Sequence, residues 1–328
     1  MIEVLSTPPL NTVQDLGRFG SRHYGVSTSG VMDPVAFVVG NVLLGNPDNA
    51  AAIEVQIFPF VVRFLADTSF AITGADTQPT LDEQILPSWW SATARRGQTL
   101  TLQPPASGAR AYLALAGGID VPVILGSRST HLRSEFGGYQ GRFLKKGDVL
   151  QTLAGEAQSV ARSTDGLGVI PPAFAMPARG DKMNDKTLWV RVVRAGEYDL
   201  FPKDMQNRLW TTEWKITHHS DRSGYRLSGP GLKLPAPVEM RSYGLVAGII
   251  QVPPSGEPII QLSDANTAGG YPKIGTVIEA DLWRLAQARL NSFIRFEEVN
   301  YEAAVAAMAP VADYVSQIRR TADLYRSH

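Results

Sequence analysis

Apolar residues in this chain come in runs of about four to eight that stop at Gly, Pro, Asn or Asp, the pattern of short strands. Phe60-Val61-Val62-Arg63-Phe64, Thr99-Leu100-Thr101-Leu102 and Ala111-Tyr112-Leu113-Ala114-Leu115 show it in the first half. Leu188-Trp189-Val190-Arg191-Val192-Val193, Gly248-Ile249-Ile250-Gln251-Val252 and Ile259-Ile260-Gln261-Leu262 show it in the second. Their β-branched and aromatic content suits pleated, half-buried surfaces. With 30 glycines and 22 prolines in 328 residues, about 16% against a usual ~12%, the composition suits a turn-dense, mainly β protein better than a helical bundle.

Helices are few. Asp33 is placed to cap, and Pro34 to begin, a helix ending near Gly45. Its Val35, Val38, Val39, Val42 and Leu43 recur at helical spacing and predict one buried face. A second helix is expected over Lys203 to Trp214, with Met205, Leu209 and Trp210 inward, and the Ala-rich tail from Tyr301 closes the chain as a third. Between Ala154 and Lys186 the periodicity disappears among Pro171-Pro172, Pro177 and Gly180. The expected organisation is therefore a β-rich half over 1–155, a connector over 156–186, a second β-rich half over 187–300 and a C-terminal helix over 301–328.

Thirty-one basic residues balance thirty-one acidic ones, so the basic footprint of a nucleic-acid binder is missing. The sequence has no cysteine, which removes disulfides, thiolate nucleophiles and Cys-ligated metals. Met1-Ile2-Glu3-Val4 shows no secretory pattern, and no apolar stretch is long enough to span a bilayer, so a cytoplasmic protein without membrane contact is expected. There is no Gly-Lys dipeptide for a P-loop, no G-x-G-x-x-G opening a helix and no G-x-S-x-G elbow. Of the five histidines, adjacent His218 and His219 would point to opposite faces of a strand, and no metal site is expected. No Met-Lys-Met segment is present to carry biotin.

Three groups of loops remain. Gln14, Asp15 and Arg18, followed by Ser29 and Asp33, bring a cation, a hydroxyl and a helix N-terminus to one region. They read equally as an anion site or as a turn with a capped helix. Arg128, Ser129 and Thr130 could hold a carboxylate or phosphate, or form a solvated loop. The richest group runs from Ser263 to Lys273. It packs Asp264, Asn266, Thr267, Tyr271 and Lys273 around Gly269-Gly270, whose lack of Cβ permits close backbone approach. Arg222, Tyr225 and Arg226 form a comparable cluster. Such loops favour function over packing. Trp89 and Trp90, like the other tryptophans, are read as structural.

Thr12-Val13-Gln14-Asp15-Leu16-Gly17-Arg18, Ser29-Gly30-Val31-Met32-Asp33, Leu125-Gly126-Ser127-Arg128-Ser129-Thr130, Gly224-Tyr225-Arg226-Leu227 and Gly269-Gly270-Tyr271-Pro272-Lys273-Ile274 resemble signatures of the biotin-dependent carboxyltransferase family. It is also called the allophanate hydrolase subunit 2 or KipA family. The resemblance runs from the N-terminus to about residue 300. It implies two cyclophilin-like β-barrel halves, and members include a component of bacterial 5-oxoprolinase and part of the urea carboxylase carboxyltransferase domain. Ala247, Ser223, Asn266 and Ala268 depart from the family's usual Pro, Met, Gln and Thr, so substrate is less constrained than fold.

The function this implies is a hydrolase subunit, inactive or weakly active alone, that helps open 5-oxoproline to glutamate with ATP and accompanying Mg. ATP would be shared with two partners, the KipI-like and the LamB/YcsF-type components of 5-oxoprolinase, and self-association is possible. The alternatives are carboxyl transfer from carboxybiotin to urea or a similar amide, and a regulatory protein that antagonises a KipI-like kinase inhibitor. Asp264, Lys273 and Tyr271 are the catalytic candidates. Arg128, Ser129, Thr130, Arg222, Tyr225, Arg226, Asn266, Thr267, Gly269 and Gly270 are expected to bind substrate or phosphate. Gln14, Asp15, Arg18, Ser29 and Asp33 are secondary candidates.

Overall fold

Alternation within single strands sets the architecture. In Phe60–Phe64 the three phenylalanine and valine positions 60, 62 and 64 are buried, Val61 is half-buried and Arg63 is exposed. A computed structural model describes residues 1–153, 166–176, 187–236, 238 and 240–327, and it divides the chain into two compact units.

The first unit comprises Met1–Arg18, Ser29–Ala175 and Ala312–His328. It holds two six-stranded sheets. In one the order is Val149–Leu150, Ile2–Ser6, Phe60–Phe64, Thr99–Leu102, Thr80–Leu81 and Gln84–Ile85. In the other it is Leu167–Gly168, Trp90–Ala94, Thr68–Asp76, Ser107–Leu115, Ala52–Val55 and Thr12–Gln14. Inward residues of both sheets, among them Val4, Phe64, Phe70, Ile53 and Leu113, form one apolar core. Most of the expected connector, 156–165 and 177–186, lies outside the described residues. Within it, Leu167–Gly168 pairs with Ser91 and Trp90 as an edge strand.

The helix Pro34–Leu44 starts and stops as expected, with Asp33 Oδ1 accepting from Ala36 N at 2.9 Å and Gly45 at φ 70°. It is buried almost all round rather than on one face, and Val38 is the half-buried exception among its valines. The strands Thr68–Asp76 and Ser107–Leu115 pack against it, and at its end Arg326 Nη1 donates to Val42 O at 2.7 Å and satisfies a helix-end carbonyl. The expected single tail helix is two, Tyr301–Ala306 and Met308–Ser327. Pro310 has no N–H to donate to Ala306 O, so the first helix cannot continue through it.

The second unit comprises Phe19–Thr28 and Met176–Val311. Its seven strands form a closed barrel in the order Thr187–Arg194, Lys273–Val277, Ile249–Gln251, Ile259–Gln261, Gly224–Ser228, Trp214–Ile216 and Phe293–Glu298. The first and last strands meet in a parallel pairing, Thr187 opposite Phe293 through Val192 opposite Glu298. Val190, Ile250, Ile260, Ile274, Leu227 and Phe296 are buried in it. The helix expected over Lys203 to Trp214 ends at Thr211. Trp214 instead opens a barrel strand, fully buried, and its indole Nε1 donates to Leu209 O at 3.1 Å. Leu209 faces inward as expected, while Met205 and Trp210 are only half-buried. Among the described residues no helix is long and apolar enough to cross a membrane.

Candidate functional site

The N-terminal motifs fold onto one another within the first unit. Asp15 follows the strand Thr12–Gln14 and is buried. Its Oδ1 accepts from Gly17 N at 2.9 Å and from the hydroxyls of Ser127 and Ser129 at 2.6 Å each. Its Oδ2 accepts from Arg128 N at 2.6 Å. A carboxylate so fully engaged has no capacity left for a ligand. Arg18 is also buried; it donates to Ile124 O and Ser129 O at 3.1 and 2.8 Å and lies over the Phe136 ring. Thr130 Oγ1 donates to Val13 O, and Gln14 Nε2 to Thr12 Oγ1 and Thr130 O. Ser29 is buried with φ 52°, and Asp33 caps its helix. A Cβ on Gly30 would fall 2.7 Å from Gly17 Cα, which accounts for Gly30, and Gly17 sits at φ 108°, where glycine is favoured.

Gln14, Asp15, Arg18, Asp33, Ser129 and Thr130 are thus engaged with their own loops or helix, and Ser29 is buried beside them. Arg128 differs. Its backbone is gripped by Asp15, while its half-exposed guanidinium makes no hydrogen bond or ion pair among the described residues.

The second cluster forms at the barrel of the second unit. Arg222 and Asp264 make a two-pronged ion pair, Nε to Oδ2 at 2.8 Å and Nη2 to Oδ1 at 3.2 Å. Asp264 N also donates to Arg222 O at 3.0 Å. The pair pins the loop after Ile259–Gln261 to the turn before Gly224–Ser228. Asp264 is thus engaged in a two-pronged ion pair, which balances the charge of Arg222. Tyr225 is buried in the barrel, and Arg226, next along the strand, is exposed without a side-chain partner among the described residues. Asn266 and Tyr271 are exposed, and Thr267, Gly269 and Gly270 half-buried. His218 and His219 are not on a strand; they share an exposed turn with ring centroids 3.9 Å apart. No group of three His, Asp or Glu that could hold a metal occurs among the described residues.

Lys273 is the most distinctive group. Only 2% exposed, it donates from Nζ to Gly269 O at 3.0 Å and Tyr271 O at 3.2 Å, and Nζ lies 3.3 Å from the centroid of the Tyr243 ring. Burial draws its ammonium below the ordinary pKa, with the charge of Glu197 acting the other way. Glu197 accepts from Tyr243 OH at 2.5 Å and from Lys273 N at 3.1 Å. The Tyr243 phenol is held above its ordinary pKa by burial and then by Glu197. Gln251 lies opposite Lys273 in the strand register, and its Oε1 accepts from Gln261 Nε2 at 3.1 Å.

Glu197, Tyr243, Gln251 and Gln261 were not predicted from the sequence. The glutamines carried a signal, each a polar residue in an apolar strand run. Glu197 and Tyr243 carried none, since Glu197 lies in a turn and Tyr243 in a two-residue strand that no periodicity marks.

Residues 24–298 match the carboxyltransferase domain family, subdomains A and B. The chain is 41% identical to the C subunit of 5-oxoprolinase from Haemophilus influenzae, over 98% of this chain and 99% of that protein. It is 38% identical to the C subunit of 5-oxoprolinase from Escherichia coli, over 97% of each. Among solved structures it is similar to the K. lactis urea amidolyase, with a TM-score of 0.86 and 30% identity, over 97% of this chain and 20% of that one.

Proposed function

We propose, from the premise that this chain belongs to the carboxyltransferase domain family of subdomains A and B, that it is a subunit of an ATP-dependent 5-oxoprolinase. The observation that carries this reading is the end-to-end match, covering 99% and 97% of the two 5-oxoprolinase C subunits. The alternative, carboxyl transfer to urea or a similar amide, rests on similarity to one fifth of a urea amidolyase. The chain itself contains no Met-Lys-Met to carry biotin.

Opening 5-oxoproline means breaking a stable lactam C–N bond, so its carbonyl oxygen must first be activated, for example by phosphorylation, before water attacks. The anionic substrate and the developing oxyanion both call for fixed cations and N–H donors. Lys273 supplies such a cation, desolvated and held by backbone carbonyls. Asp264 orients the loop that presents it, through Arg222. The described residues do not fit Mg with ATP: they offer neither a cluster of acidic ligands nor a glycine-rich phosphate loop. ATP is read as shared with the partner proteins, and the chain alone should turn over little.

The test is ATP hydrolysis and glutamate release by this chain mixed with its KipI-like and LamB/YcsF-type partners. We expect turnover dependent on 5-oxoproline and on all three proteins, in a cytoplasmic hetero-oligomer. Turnover absent with every combination would remove the reading, and carboxylation of urea by a biotin carboxylase mixture would replace it.

A second expected outcome concerns assembly. Because the chain's formal net charge is zero, apolar and hydrogen-bonded contacts should dominate binding to the KipI-like partner. Light scattering of the mixed pair should give the same complex mass at low and high salt. Dissociation in moderate salt would instead point to an electrostatic interface.

A further inference from the structure

Lys273 and Gln251 are two buried donors that the described residues satisfy incompletely. The Lys273 ammonium touches two carbonyls and an aromatic face, yet no carboxylate forms an ion pair with it among the described residues. Its nearest carboxylate, Glu197, is bonded to Tyr243 OH and to Lys273 N instead, so the desolvated ammonium is only partly compensated. Gln251 is 5% exposed, and its Nε2 is buried with no acceptor among the described residues. Buried amide N–H groups are rarely left so.

The two donors converge. Gln251 and Lys273 are register partners on adjacent strands. Lys273 Nζ bonds the carbonyl of Gly269, and Gln251 Nε2 lies 2.6 Å from where a Cβ on that same glycine would be. Gly269 belongs to a two-stranded ribbon, Ala268–Gly269 paired with Tyr243–Gly244. Tyr243 and Gly244 are exposed, and the only apolar side chain of the described residues seen packed against Gly269 is the adjoining, buried Leu245. Its fastening is the Tyr243 phenol, bonded to Glu197, with the ring of the same residue laid on Lys273.

We propose that this ribbon is a cover latched by Tyr243 and Glu197, and that when it lifts, Lys273 Nζ and Gln251 Nε2 together take the two oxygens of a small substrate's carboxylate. Ligand oxygens then replace the carbonyls of Gly269 and Tyr271 on the ammonium and supply the acceptor that Gln251 lacks. A neutral amide would leave the cation uncompensated, which is why the ligand class is a carboxylate. In this arrangement Gln251 sets specificity, while Tyr243 and Glu197 are positioning residues. The inference rests on the proposed 5-oxoprolinase reading for its substrate class and on the geometry alone for the latch.

Amine-reactive labelling of Lys273 in the full chain, read by mass spectrometry, tests it without any turnover. Tyr243→Phe keeps the ring and removes only the latch hydroxyl. It should raise the labelling rate about tenfold, the equilibrium shift expected for one lost charge-assisted hydrogen bond. Glu197→Gln should raise it in the same direction. In the wild type, 5-oxoproline and acetate should each slow labelling, and Gln251→Leu should remove that protection. Gln251→Met, checked by near-ultraviolet circular dichroism, guards against a folding defect and should act alike.

Unchanged labelling in both latch variants would overturn the cover. Protection that survives in both Gln251 variants would overturn the carboxylate site. Protection by acetate together with a three-protein mixture that never opens 5-oxoproline would leave this inference standing while the proposed function falls.

Discussion

Asp15→Ala should lower the unfolding free energy by about 4 kcal/mol, since two backbone N–H groups and two hydroxyls lose a buried acceptor at about 1–3 kcal/mol each and partial water entry offsets some of it. The loss should appear in urea titrations as a lower midpoint with an unchanged slope. Arg128→Ala, one motif away, should shift stability by no more than about 0.5 kcal/mol, because its guanidinium has no partner to lose among the described residues. A stable Asp15→Ala chain whose three-protein mixture is inactive would reverse the assignment and make Asp15 part of the chemistry.

The second large effect is expected at Lys273. Lys273→Met keeps most of the side-chain volume and removes the charge. It should reduce kcat/KM of the three-protein mixture by about 10²–10³, the range expected when one partner of a desolvated, hydrogen-bonded charge pair with the substrate is removed. Stability should hold or rise, because a buried cation is replaced by an apolar group. Full activity of this variant would show that Lys273 serves packing alone.

These two residues also mark what could be read from the sequence. Both stand in motifs picked out by their polar density, and both motifs prove to be organised. In the first, the density has a local cause: tight turns with left-handed glycines leave backbone N–H groups that need acceptors, and Asp15, Ser127 and Ser129 satisfy one another across a long stretch of chain. Sequence shows the donors and acceptors but not their pairing. An engaged carboxylate and a free one look alike there.

In the second, the essential neighbours come from separate elements. Glu197 follows one strand, Tyr243 lies in a short ribbon, and Gln251 meets Lys273 only through the register of the barrel. The strands themselves were plain from alternation and β-branched content. Their closure was not, because nothing local encodes that Thr187–Arg194 pairs with Phe293–Glu298. Helix ends were legible where a cap was present, at Asp33 and Gly45, and were overrun at Trp214, where apolar residues of a helix and of the next strand follow without a break.

The parallel seam between Thr187–Arg194 and Phe293–Glu298 bears on how the chain reaches its native state. The hairpin-like antiparallel neighbours Ile249–Gln251 and Ile259–Gln261 need only a short loop closed and can associate early. The seam joins the first barrel strand to the last, so it carries the largest loop-closure entropy in the barrel and must form late. During synthesis Thr187–Arg194 emerges long before either neighbour, with both hydrogen-bonding edges bare until Lys273–Val277 and then Phe293–Glu298 have left the ribosome. That interval is when an apolar edge strand such as Leu188-Trp189-Val190 is most exposed to pairing with another nascent chain.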